Sequence, residues 1–252
     1  MRQDAAVEEG ERVYAIGDVH GRLDLLGDLM GLIRQDQQRR GAAERVRIIL
    51  LGDVVDRGPH SAGLVQRLMS YTRASDRFVV LKGNHEQMMV SALNGDLETM
   101  QAWLGFGGAA TLRSWGVEEE VMAGQQIPKI IQAARRRVSA AELRWLDERP
   151  LSFGSGDYFF VHAGIRPGIA LADQHPGNLL WIREQFLNWD GPHPAVIVHG
   201  HSAEADRAQI RPNRVGIDTG AYRTGRLTAL GLEGCQRWFL TTSGPRVAEA
   251  MA

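Results

Sequence analysis

Two short apolar runs, residues 13–16 and 46–51, each end on a glycine and an aspartate. The first leads into Gly17-Asp18-Val19-His20-Gly21, the second into Gly52-Asp53-Val54-Val55-Asp56-Arg57-Gly58. A short apolar segment rich in β-branched residues and bounded by glycine reads as a buried strand rather than a helix. Carboxylates and an imidazole therefore stand where two strands end and turn. Open α/β sheets bind ligands outside the carboxyl ends of their strands, so the two segments can serve one site. Aspartate and histidine together suit a divalent first-row metal. The glycines let the backbone turn sharply and leave those ligands uncovered. The expectation is a group of residues that holds metal ions and hydrolyses a phosphate ester.

Helical spacing follows each run. Leu26, Leu29, Met30 and Ile33 mark one amphipathic helix, ended by the polar stretch through Gly41. Val65, Leu68 and Met69 mark a second, started near Pro59. A third strand, 78–81, runs into Gly83-Asn84-His85-Glu86. This β-α-β-α-β series closes most simply as a parallel sheet with right-handed crossovers. From about 93 to 150 the pattern turns mainly helical, opened by the glycine-rich stretch 103–108. It includes a capping box of Ser139 and Glu142 ahead of Leu143 and Leu146. That segment reads as a helical insertion over the carboxyl edge of the sheet, where substrate preference usually lives.

Strand character returns at 158–161 before His162-Ala163-Gly164, at 195–198 before His199-Gly200-His201, and at 214–217 before Asp218-Thr219-Gly220. Segments 227–232 and 237–240 read as a closing hairpin about Glu233-Gly234. With little helix between them, these later strands are expected to build a second, more antiparallel sheet. The fold class is α/β: two facing mixed β-sheets flanked by helices. One domain spans 1–252, with the helical insertion at about 93–150.

Composition narrows the partners. At 252 residues, 44% of them apolar and 23% charged, the chain can bury an ordinary globular core. A net charge of −1 gives no electrostatic case for nucleic acid or an anionic membrane. The single cysteine, Cys235, excludes an internal disulfide framework and a multi-cysteine zinc site, and reads as small filler beside a strand. Residues 1–11 are acidic and lack the basic start and apolar centre of a signal peptide. No apolar run approaches bilayer length. The expected setting is soluble and cytoplasmic.

The strand ends together supply Asp18, His20, Asp53, Asp56, Asn84, His85, His162, His199 and His201, five of the eight histidines. One histidine on an apolar strand is ordinary core. Five strand ends with the same chemistry are not, because so many convergent polar groups carry a large desolvation cost. A bound pair of dications offsets it. His60, His175 and His193 sit beside prolines in apparent loops and read as solvated bystanders.

In order, Gly17-Asp18-Val19-His20-Gly21, Gly52 to Gly58, Gly83-Asn84-His85-Glu86, His162-Ala163-Gly164 and Gly200-His201 resemble the motifs of the metallophosphoesterase superfamily. More narrowly, they resemble the phosphoprotein phosphatases acting on serine and threonine, especially the short prokaryotic and phage members. The likeness runs from Val13 to about Leu232. It implies a calcineurin-like sandwich in which Asp18 and His20 bind one metal, Asp53 bridges, and Asn84, His162 and His201 complete the second. It implies direct in-line attack by a metal-activated hydroxide, with no phosphoenzyme. Mn²⁺ is the implied activator, and the ligands would also take Fe, Zn or Co. The implied partner is a phosphorylated protein or peptide.

His85 resembles the family's general acid, which Asp56 would orient and keep protonated. Arg57 would grip the phosphate oxygens, with Arg183 of Leu180-Trp181-Ile182-Arg183-Glu184 as the second arginine. For Arg183 the alternative is an ion pair on a helix surface. The family pattern sets the ligand directly after glycine, which selects His201 over His199. His199 is then either support behind the ligands or a strand-end residue. Asp218 either hydrogen-bonds a ligand histidine or serves the turn before Gly220. Arg135-Arg136-Arg137 reads as a solvated helix face.

Symmetrical diadenosine tetraphosphatases resemble the chain at the same metal motifs and at Ile217-Asp218-Thr219-Gly220. Those relatives carry a small residue where this chain has Asp56, and Asp where it has Glu86, which favours the protein phosphatase branch. Against it, the chain lacks the Cys-containing loop near the C-terminus of the larger eukaryotic members. An inactive metal-binding scaffold would have lost a ligand, the acid or the phosphate arginine, and all are present.

Overall fold

Neighbouring residues of a strand face opposite ways, and in the first strand of this chain both faces are buried. A computed structural model describes residues 4–124, 126–203 and 206–242. In strand β1 (Glu11–Ile16), Val13 and Ala15 join a cluster with Ile49, Leu51, Phe160 and Val198. Tyr14 and Ile16 point the other way, into a cluster with Leu29, Ile33, Leu64 and Val65. The first cluster lies between two sheets and the second between sheet and helices. Each fully buried Leu, Ile or Val there contributes about 1.5–3 kcal/mol.

The first half follows the alternation expected: α1 (Leu23–Arg40), β2 (Arg45–Leu50), α2 (Ser61–Ala74) and β3 (Phe78–Val80). β1 pairs parallel with β2, and β2 with β3. In α1 Asp24 lies in the first turn and Arg39 and Arg40 in the last, each favourable to the helix dipole. Six helices come next: α3 (Asn84–Leu93), α4 (Leu97–Trp103), α5 (Ala109–Ser114), α6 (Glu119–Ala123), α7 (Ile127–Arg137) and α8 (Ala140–Asp147). A kinked segment, Leu104–Gly108, with Gly107 at φ 115°, joins α4 to α5. Ser139 and Glu142 cap α8 reciprocally. Met100, Trp103, Leu112, Ile130 and Leu146 extend the helix-facing cluster of the first sheet rather than building a core of their own.

The remainder is β4 (Ser152–Ser155), β5 (Tyr158–Val161), α9 (Pro176–Trp181), α10 (Glu184–Leu187), β6 (Val196–His199), β7 (Gln209–Ile210), β8 (Arg214–Gly216), α11 (Ala221–Thr224), β9 (Thr228–Glu233) and β10 (Gln236–Thr241). The two five-stranded sheets run β10-β9-β1-β2-β3 and β4-β5-β6-β8-β7. Both are mixed, but not as the sequence suggested. The second sheet has a parallel centre of β5, β6 and β8, with antiparallel strands only at its edges. Its crossover helices α9 and α10 span six and four residues, too short to show a period. The closing hairpin β9–β10 instead joins the first sheet, antiparallel to β1. Cys235 lies exposed between β9 and β10. Among the described residues no helix is long and apolar enough to cross a membrane.

Candidate active site

The parallel strands of both sheets deliver their carboxyl ends to one place. Asp18 and His20 follow β1, and Asp53, Asp56 and Arg57 follow β2. Asn84 and His85 open α3 directly after β3, His162 follows β5, and His201 follows β6. His20, Asp53 and His85 present ligand atoms within 4.8 Å of one another, and so do Asp53, His162 and His201. Asp53 belongs to both groups and faces each with a different oxygen. Its Oδ2 lies 3.6 Å from His20 Nε2 and 3.7 Å from His85 Nε2, while its Oδ1 lies 3.4 Å from His162 Nε2.

The backbone is bent to make this possible. His20, Asp53, Asp56, Arg57 and His201 all have φ between 45° and 74°, and they are the non-glycine residues of positive φ in the described structure. Such conformations cost about 1 kcal/mol or more each, so the surrounding contacts must hold them. Glu86 supplies part of that hold. Its buried carboxyl accepts the amides of Gly83 at 2.7 Å, Asp53 at 2.8 Å, Val54 at 2.9 Å and Val55 at 3.2 Å. Burial and the Asp53 carboxylate push this acid up to about 7, against amides that favour its ionised form. Gly83 is required for a different reason: a Cβ there would stand 2.2 Å from Asp53 Oδ1.

Ring tautomers follow from the hydrogen bonds. His162 Nδ1 lies 2.9 Å from the Leu51 carbonyl and His20 Nδ1 2.8 Å from that of Val55. Each Nδ1 must therefore donate, and each Nε2 of a neutral ring keeps its lone pair. Burial favours the neutral form, lowering His162 and taking His20 to about 3. His162 Nε2 then faces Asn84 Oδ1 at 2.9 Å and Asp53 Oδ1 at 3.4 Å, three acceptors with no donor among them. His201 Nδ1 is 3.0 Å from the same Asn84 oxygen, and its Nε2 is buried without a partner. Converging lone pairs of imidazole, amide and carboxylate are what a divalent cation satisfies, so the residues present fit a metal centre.

Carboxylate crowding points the same way. Asp18 is pushed well above its usual range by burial, then by Asp218 and Asp53. Asp218 is taken to about 6 by burial and Asp53. Burial would also raise Asp53, but the imidazoles of His162, His85, His20 and His201 outweigh it and hold its carboxyl low. Asp18 borders the two groups without belonging to either. Both its oxygens accept the His201 backbone N–H, at 3.0 and 3.2 Å.

A buried acid pair completes the centre. His85 Nδ1 donates to Asp56 Oδ2 at 2.5 Å, and the side chains are 3% and 0% exposed. Burial lowers His85, yet Asp53 and the Asp56 bond outweigh it and the imidazole is raised. Asp56 is raised by burial, against the bonds it accepts. The charged pair is the arrangement its surroundings support, because Trp103 Nε1 (2.7 Å) and Thr111 Oγ1 (2.6 Å) also donate to this carboxylate. Arg57 Nη1 donates to His20 Nε2 at 2.8 Å, its Nη2 lies 3.1 Å from His85 Nε2, and its guanidinium stacks 4.7 Å from the Tyr222 ring centroid.

Other sequence candidates fall at different distances. Arg183 is exposed at the start of α10, near enough to His162 and His201 to lower both, and makes no side-chain bond or ion pair among the described residues. Asp218 accepts the Gly220 amide at 2.9 Å, which is turn chemistry. His199 belongs to neither ligand group; it packs edge-on against Phe186 at 5.0 Å. His193 is not solvated: it is 5% exposed and stacked on Phe186, because α10 brings that ring under its loop. His60 and His175 are exposed, and His175 caps α9 through the Gly177 amide. Arg135, Arg136 and Arg137 are all exposed, as expected of a solvated helix face, and Arg135 also donates to the Leu93 carbonyl at 2.6 Å. Sequence reasoning missed the structural part of Glu86, whose signal was its third position in α3, a capping-box place. It also missed Trp103, Thr111 and Tyr222, for which no local signal existed.

Fold and site together define a hydrolase of the metallophosphoesterase type. A family model for calcineurin-like phosphoesterases matches residues 11–233, and the chain belongs to that family, whose members use divalent metal ions. The serine/threonine-protein phosphatase 4 catalytic subunit of Saccharomyces cerevisiae is 38% identical over 96 residues, which cover 38% of this chain and only 29% of that one. A symmetrical bis(5'-nucleosyl)-tetraphosphatase of Methylobacillus flagellatus is 24% identical over 271 residues, 88% of this chain and 92% of that one. A solved structure described as a candidate diadenosine tetraphosphatase shares the fold with a TM-score of 0.63 at 19% identity, covering 95% and 99% of the two chains.

Proposed function

We propose that the chain is a phosphomonoesterase acting on phosphoserine and phosphothreonine in proteins or peptides. The observation that carries this reading is the buried Asp56–His85 pair beside the shared carboxylate Asp53. Asp18, His20 and Asp53 would hold one divalent ion and Asp53, Asn84, His162 and His201 a second, with Mn²⁺ the preferred occupant. When bound, two such ions supply an acidified water and neutralise charge on the phosphate. Arg57, steadied on Tyr222, and Arg183 orient the phosphate oxygens. His85 gives its proton to the departing serine or threonine oxygen, and Asp56 fixes the ring and favours its charged form. An alkoxide leaving group needs that proton, which is why a raised imidazole is useful there.

A dinucleotide tetraphosphate is the second reading. The near-full-length match to a symmetrical bis(5'-nucleosyl)-tetraphosphatase favours it, against a partial match to the protein phosphatase. The test is turnover of phosphoserine and phosphothreonine peptides against diadenosine tetraphosphate at equal concentration with added Mn²⁺. Faster peptide hydrolysis is expected; preferential cleavage of the dinucleotide would transfer the assignment to the second reading. No turnover of either, or of p-nitrophenyl phosphate, under any divalent metal would point to an inactive scaffold.

A further inference from the structure

We propose a second oxyanion site, for a phosphate-class dianion, at the end of the first sheet opposite the catalytic centre. The parallel strands β1, β2 and β3 release the catalytic residues at their carboxyl ends. Arg12 and Val46 lie at the amino ends of β1 and β2, and Arg77 immediately precedes β3. Strands of six residues at about 3.3 Å per residue separate the two ends by roughly 15–20 Å. An open cavity of about 570 Å³ lies there, lined by Arg12, Arg34, Gln37, Gly41, Val46 and Arg77 among others, with no acidic residue in its wall.

Three residues of the lining carry donors without an acceptor. Arg12 is 1% exposed, and its two terminal nitrogens donate to Glu233 at 2.7 Å and the Gly41 carbonyl at 2.9 Å. Its Nε is buried without a partner, and so are Arg77 Nε and Gln37 Nε2. Arg77 spends one terminal nitrogen on Gln37 Oε1 at 2.7 Å, so that amide's oxygen is used and its NH₂ is left. Arg34 makes no hydrogen bond or ion pair among the described residues. Neighbouring arginines at the same end are matched: Arg47 with Glu11 and Asp76, Arg45 with Glu8 and Glu11.

Guanidinium and amide N–H groups can only donate, and with three arginines and no carboxylate in the wall the cavity favours an anion over a cation. Glu233 neutralises Arg12, which leaves Arg34 and Arg77 as two uncompensated charges and matches a dianion. Guanidinium forks suit tetrahedral oxyanions. Two sources share that chemistry, free inorganic phosphate and a phosphate carried on an organic group.

Thermal unfolding at fixed ionic strength separates this site from the catalytic one. Inorganic phosphate at ten times its dissociation constant should raise Tm by about 3 °C in the wild type. The rise should persist in Arg57→Ala, which removes the catalytic phosphate arginine, and vanish in Arg34→Gln/Arg77→Gln. Phenylphosphonate, whose C–P bond resists hydrolysis, distinguishes the sources: a larger rise than with phosphate marks an esterified group, an equal one free phosphate, and either supports the site. Should the double variant not fold, Arg77→Lys keeps the charge but loses the Nε donor, and phosphate should then be needed at about tenfold higher concentration. The proposal is overturned by no rise in the wild type, by an equal rise with chloride, or by a rise lost in Arg57→Ala and kept in Arg34→Gln/Arg77→Gln.

Discussion

Asp56→Asn isolates the charge of one buried carboxylate from its shape. An asparagine at this position can turn its oxygen toward His85 Nδ1 and Trp103 Nε1, which both donate to Asp56 Oδ2. Its NH₂ then faces the Thr111 hydroxyl, which can rotate to accept. The contacts survive and the negative charge does not. A hydrogen bond to a charged group is worth about 1.5–3 kcal/mol and a neutral one about 0.5–1.5, a difference of about 1–2 kcal/mol. If His85 protonates the leaving oxygen, that difference slows a phosphoserine peptide about 5- to 30-fold. p-Nitrophenyl phosphate, whose leaving group needs little proton, should slow less than about 3-fold.

A pH profile supplies the second readout. His85 is held above its ordinary value by Asp53 and then Asp56, against burial. Activity requiring its protonated form is present below that raised value and lost as pH rises through it. Without the Asp56 charge the value falls, so the alkaline limb for the peptide moves to lower pH. Equal slowing of the two esters, or an alkaline limb that stays in place, would refute the acid assignment.

Glu86→Ala leaves four buried amides without their acceptor. At about 1–3 kcal/mol for each unsatisfied group the loss should reach at least ~4 kcal/mol, or roughly 10 °C in Tm; a fall under 3 °C by calorimetry would show that the loop carrying Asp53 is held elsewhere. Gly83→Ala should abolish metal uptake measured by elemental analysis, since its Cβ would lie 2.2 Å from Asp53 Oδ1; normal metal content would contradict that. Gly27→Ala, on the exposed side of α1 with nothing within 4 Å of the new Cβ, should raise stability by about 0.5–1 kcal/mol in urea unfolding; a decrease would mean that face is covered. Asp53→Asn should lose metal and nearly all activity, because the oxygens facing the two histidine groups would no longer share a charge; full occupancy would remove Asp53 from the bridging position.

What could be read without coordinates was local. Strands 1 to 3, the first two helices and the capping box at Ser139 are written in periodicity and punctuation, which depend on residues a few places apart. The residues gathered at the centre were legible for the same reason: a strand that ends on glycine and acid puts the acid at its carboxyl end whatever it pairs with. The parallel pairing of strands 1 to 3 followed from the helices between them, but the pairing of the later strands was not legible. The hairpin β9–β10 could have extended either sheet, and its place beside β1 depends on which apolar face finds a complement.

By itself the sequence determined which chemical groups stand at the strand ends, because turn position and side-chain identity are set within a few residues. Tertiary structure alone decided how those groups are used. It forced His20, Asp53, Asp56, Arg57 and His201 into left-handed backbone. It set Trp103 and Thr111, 47 and 55 residues further on, against Asp56, and it left Arg34 and Arg77 uncompensated at the far end of the sheet. The reason is that strain, burial and an acceptor's absence belong to the packed assembly: each is fixed by neighbours distant along the chain, and no stretch of sequence contains them.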